Sequence, residues 1–132
     1  MGTRCLTFVY DEAGDPLLNM YRQFDGYMSG HGAELAEFLH DRKLVNGLSY
    51  EDQNNPKVSN GMGCLAAQLL AHFKQTPGSF YIHAVDDTHC GQDYEYHVFP
   101  DRVFVCESDG AVVLDTTWES FYNVTHKEAV VL

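Results

Sequence analysis

Apolar residues in this chain follow two rhythms, and the change between them marks the elements. Arg4–Tyr10 and Leu17–Phe24 are runs of β-formers separated by the turn cluster DEAGDP at Asp11–Pro16, which predicts an N-terminal β-hairpin. Gly26, Gly30 and Gly32 then break the chain. From Ala33 the spacing becomes helical: Leu35, Phe38 and Leu39 share one face, while Glu34, Glu37 and Asp41 lie elsewhere. Ser29 is a candidate N-cap for this helix, or Gly32 begins it. A second helix is predicted over Met62–Lys74, with Met62, Leu65, Ala66, Leu69, Leu70 and Phe73 as a broad apolar face. Its other side is small (Gly63, Cys64, Ala67, Ala71), which predicts burial on two sides with another backbone close by. Asn46–Gly61, between the helices, shows neither rhythm and reads as a long loop of a functional or mobile kind.

The C-terminal half returns to strands: Phe80–Val85, Tyr94–Phe99, Arg102–Cys106 and Ala111–Thr117. The loop DDTHCGQD, a turn at Pro100–Asp101 and the hairpin turn SDGA at Ser108–Ala111 separate them, the last carrying the strong Asp-Gly signal. Trp118–Thr125 reads as a short helix or loop, and the apolar Ala129–Leu132 as an edge strand. The expectation is a single α+β domain over 1–132. It has an antiparallel sheet of about five to six strands, two helices packed on one face, and the order ββααββββ.

Composition narrows the function classes. The 132 residues are 45% hydrophobic and 13% aromatic, enough to bury a core. The net charge of −11 opposes phosphate backbones and acidic membrane faces, so direct nucleic-acid and membrane binding are not expected. No apolar run approaches the roughly 18 residues of a spanning helix. No secretory h-region is visible, and Cys5, Cys64, Cys90 and Cys106 form no CxxC pair, which is the usage of reduced cysteines in a cytoplasmic protein.

Chemistry-bearing residues concentrate in Tyr21–Leu35, YRQFDGYMSGHGAEL, and in the glycine-rich start of the second helix, SNGMGCLAAQLL. Free N–H groups at helix starts attract anions, and glycines let a ligand approach the backbone. Arg22, Asp25, Tyr27, Ser29, His31, Asn60 and Gly61 are therefore the candidate ligand-binding residues. Neither the P-loop spacing nor the GxGxxG fingerprint is present, and no cofactor is implied. The expected partner is a small anionic ligand at these two helix starts, or a protein meeting the aromatic loops that carry Tyr27, Met28 and Tyr50. A homodimer paired through the Ala129–Leu132 edge is the other association the pattern admits.

An alternative is a cysteine-dependent hydrolase or transferase. Cys64 in the first turn of a helix and His97 on a later strand are similar, in topology alone, to the layout of papain-like hydrolases, with Asp115 to orient the imidazole. With turns centred at Pro100–Asp101 and Asp109–Gly110, His97, Phe104 and Asp115 fall in one cross-strand row, Phe104 standing in the middle. Buried structural cysteine is the commoner role. His83, His89, Cys90 and His97 are weak candidate zinc ligands at poor spacing, and no metal is expected. The acidic pairs at Asp11–Asp15, Glu51–Asp52 and Asp86–Asp87 read as solvated turns.

The segments YRQFDGYMSGHGAELAEFL and NGMGCLAAQLLAHFK, with DYEYHV at Asp93–Val98, resemble a group of small bacterial and phage-type proteins of no established activity. The resemblance covers roughly a third of the chain. It implies a small cytoplasmic protein and carries over no catalytic residue.

Overall fold

Alternation along the first strand decides what lies on each side of the sheet. In β1 (Cys5–Tyr10), Cys5, Thr7 and Val9 point one way and Leu6, Phe8 and Tyr10 the other, as the two-residue period of a strand requires. The computed structural model describes residues 2–126. After β1 come β2 (Pro16–Arg22), a π turn at Met28–Gly32 that runs into α1 (Ala33–Leu39), β3 (Lys43–Val45), β4 (Val58–Asn60) and α2 (Gly61–Phe73). The chain then forms β5 (Phe80–His83), β6 (Tyr94–Val98), β7 (Arg102–Glu107), β8 (Val112–Thr117) and α3 (Trp118–Thr125). Ala129–Leu132, read above as an edge strand, lies outside the described residues.

The α+β class stands, with two corrections. The six-stranded sheet, ordered β5-β2-β1-β6-β7-β8, is mixed: β1 and β6 pair in parallel, Thr7 beside Tyr96. Two antiparallel units, β5-β2-β1 and β6-β7-β8, join through their inner strands; local turns link β1 to β2 and β6 to β7 to β8, whereas β5 reaches β2 only after both intervening helices. Among the described residues there are three α-helices, not two. In α3 the Thr117 hydroxyl caps the first turn by accepting from the Ser120 N–H at 3.2 Å, and Phe121 is fully buried. Burying that ring contributes about 2–3 kcal/mol.

All three helices cover one face. Val9, Met20, Tyr96, Val98, Val103 and Val105 from the sheet meet Leu35, Leu39, Met62, Leu65, Leu69 and Phe121 from the helices. The small side of α2 is not covered among the described residues: Gly63, Ala67 and Ala71 are exposed, and a Cβ at Gly63 would meet nothing within 4 Å. The Asn46–Gly61 stretch is also more ordered than expected. Its end supplies β4, which pairs in parallel with β3, and Asp52–Asn54 makes a 3-10 turn. Three-residue strands are too short to show a period. Lys57 secures this segment by donating to the C-terminal carbonyls of α1, Glu37 at 3.0 Å and His40 at 2.6 Å.

On the opposite face, the Ala84–Asp93 loop carries the chain from the β5 edge back to the sheet centre. Asn19 holds it there, donating from Nδ2 to the carbonyls of Ala84 and Asp87, both at 2.9 Å.

Candidate functional site

The corner between β2 and α1 is built on a polar chain in the core. His31, in the π turn, is fully buried against Tyr96 and Phe73. Arg22 Nη1 lies 3.2 Å from His31 Nδ1, and a guanidinium only donates, so Nδ1 is the accepting nitrogen. Nε2 therefore carries the proton and donates to Thr7 Oγ1 at 2.7 Å. Burial, helped by the neighbouring Arg22 charge, holds the imidazole at about 3, so it stays neutral. The same Arg22 nitrogen pairs with the Glu34 carboxylate, and the guanidinium lies 4.9 Å from the centre of the Phe80 ring.

The backbone around it is strained. Asp25 adopts φ +62°, a left-handed conformation rare for a residue with a side chain. It is held there by the His31 N–H, which donates to the Asp25 carbonyl at 2.7 Å. The π turn at Met28–Gly32 is itself a form that collects at functional sites. Gly30 is required by proximity: a Cβ there would stand 2.5 Å from the Asp25 carbonyl oxygen.

Above this corner is an open groove of about 370 Å³. Arg22, Asp25, Tyr27 and Ser29 line it, as expected, together with Gly30, Ala33, Glu34, Glu37, His72 and His126. His31 lies beneath it and braces Arg22 from below. Ser29 is inside the π turn and caps nothing. The lining holds three carboxylates against one guanidinium, which opposes the small anionic ligand expected from the sequence.

Asn60 and Gly61 are not part of this groove. Asn60 Oδ1 accepts from the Gly47 N–H at 2.7 Å, and Gly61 takes φ +81° at the start of α2. The free N–H groups of α2 already have an anion: the Glu12 carboxylate, from the β1–β2 turn, accepts from Met62 N at 2.9 Å. Sequence reading placed Glu12 in a solvated turn, because nothing local links it to a helix some fifty residues on.

The Cys64–His97–Asp115 arrangement is not assembled. Cys64 sits on the helix layer, lining a cleft with Asp52 and Gln68, whereas His97 is on the helix-free face beside Phe8. The sheet lies between them. The row expected from the turns does occur, with His97 opposite Phe104 and Phe104 opposite Asp115, but Asp115 pairs with Arg102 at 2.6 Å. His97 has different partners. Tyr10 donates to its Nδ1 at 2.6 Å, and its Nε2 donates to Glu95 Oε1 at 3.1 Å. Burial lowers the His97 pKa despite Glu95. The alternation of Glu95 and His97 in YEYHV was a legible signal; Tyr10 joins them only through the parallel register.

Of the four weak zinc candidates, the fold brings together His83 and Cys90, with Asp87 between them. His97 belongs to a separate group with Glu95 and Cys106, and His89 Nδ1 turns to the Thr88 hydroxyl. Of the loop aromatics, Tyr50 is 89% exposed and Tyr27 40%, while Met28 packs on the core.

No protein-family model, curated protein or solved structure matches the chain. Among the described residues no helix is long and apolar enough to cross a membrane.

Proposed function

We propose that the chain is a binding module whose site is the groove over Arg22, and that its ligand pairs a cationic amine with an acceptor oxygen, as amino acids and peptide ends do. The observation that carries this reading is the Thr7–His31–Arg22 chain. Burying an imidazole and hydroxyl in a core costs stability unless every group is paired, and here the pairing immobilises one guanidinium at the floor of a groove. Arg22 uses Nη1 for both Glu34 and His31, and its other guanidinium nitrogens make no hydrogen bond among the described residues. In this reading they donate to the ligand oxygen. Asp25 and Glu37 supply the negative charge that an amine requires. Tyr27, on the rim, offers a ring face to a cation while its hydroxyl donates to Asp25 at 3.1 Å.

The test is a nuclear magnetic resonance titration with free amino acids and short basic peptides, with phosphate and acetate in parallel. Amide shifts confined to residues 22–37 with the amine-bearing compounds, lost in both Arg22→Ala and Asp25→Asn, support the reading. Shifts centred on another surface, or stronger effects from the simple anions, overturn it.

A further inference from the structure

We propose that His83, Asp87 and Cys90 form a zinc site on the helix-free face, separate from the groove over Arg22. Cys90 Sγ lies 3.1 Å from His83 Nδ1, and Asp87 Oδ2 lies 3.4 Å from that same nitrogen. All three donor atoms lie within 4.8 Å of one another. A tetrahedral zinc with bonds of about 2.0–2.3 Å sets its ligands roughly 3.3–3.7 Å apart, so small side-chain rotations open the cluster to the ion. One thiolate, one imidazole and one carboxylate suit zinc; calcium and magnesium call for oxygen donors throughout.

The loop already holds these donors in place. Asn19 fixes the backbone at Ala84 and Asp87. Gln92 accepts from the Cys90 N–H at 2.8 Å and donates to the Thr88 carbonyl at 2.6 Å. Asp87 Oδ1 accepts from the His89 N–H at 3.4 Å, which leaves Oδ2 turned toward His83. The His83 ring is steadied by Tyr21, with centres 5.0 Å apart. These contacts support the loop backbone, the Asp87 carboxylate and the face of the His83 ring.

His83 and Cys90 are partly exposed and Asp87 is exposed, so the ion can reach them and the fourth position is left to water. On binding, the Cys90 thiol loses its proton to solvent, the S–H bond is replaced by a zinc–sulfur bond, and no electron is transferred. The Glu95–His97–Cys106 group is a poorer host: its imidazole and carboxylate are engaged by Tyr10 and Gln92, and Cys106 is buried.

The experiment is a cobalt(II) titration of the chelator-treated 132-residue chain, followed by zinc displacement. One equivalent of cobalt should give a thiolate-to-metal charge-transfer band that zinc removes. Cys90→Ser should abolish the band, and Asp87→Asn should weaken binding at least tenfold. Cys106→Ser and Cys64→Ser should leave the band intact, with circular dichroism confirming that each variant is folded. Zinc should also slow alkylation of Cys90 and leave that of Cys64 unchanged. A band that survives Cys90→Ser, a band lost in Cys106→Ser, or no saturable binding at micromolar metal overturns the site.

Discussion

His31 is neutral and fully enclosed in the fold, and this has a measurable sign. Unfolded, the imidazole takes a proton near its ordinary 6.5; folded, it resists down to about 3. Its contribution to stability is therefore whole above about pH 6.5 and declines as pH falls toward 3, by about 1.4 kcal/mol per unit at the steepest. In urea melts, His31→Gln should be less stable than the parent at pH 7 and should lose this acid slope; an unchanged slope would place the titrating group elsewhere. Gly30→Ala should cost about 2 kcal/mol or more, because the new methyl meets the Asp25 carbonyl, and its melting temperature checks this. That Arg22, Asp25, Tyr27 and Ser29 lie close together was legible because they cluster within eight positions of a broken strand-to-helix passage, and the fold sets all four along one groove. The depth of His31 was not legible, since its partner Thr7 lies on β1 and its cover, Tyr96 and Phe73, comes from distant parts of the chain.

At the level of elements, strands and helices announced themselves wherever the period ran for five residues or more. The β1–β2 hairpin, α1 and α2, and the β6–β7–β8 meander follow from alternation and turn residues. The brief β3 and β4 strands did not, and neither did the π turn, whose irregularity follows from packing at Asp25 and not from any local preference. Two end contacts carry testable energy. Glu12 meets the N–H groups of α2, so Glu12→Gln should lower stability by about 0.5–1 kcal/mol, less at high salt. Lys57 occupies the carbonyls that end α1, so Lys57→Met should cost roughly 1–3 kcal/mol. Hydrogen exchange should then show early opening of Ala33–Leu39; protection equal to the parent would mean that water replaces the ammonium at no cost.

For the whole molecule, a charge of −11 on 132 residues repels itself. Moderate sodium chloride should raise the melting temperature, and a flat or falling response would show that local ion pairs outweigh the net field. The two-layer class was readable from the order of elements, but the parallel seam was not. Hairpin signals are local, whereas Arg4 N–H bonds Asp93 across 89 positions of sequence. That seam also sets the order in which a growing chain is completed. By the time β5 has emerged from a ribosome, β1, β2, α1 and α2 are present, yet the inner edge of β1 still waits for a strand not yet made. The nascent half-protein thus exposes an open, apolar strand edge, the surface most prone to wrong pairing. A chain cut after residue 85 should accordingly associate with chaperones and aggregate instead of folding, although it holds most of the residues that surround Arg22.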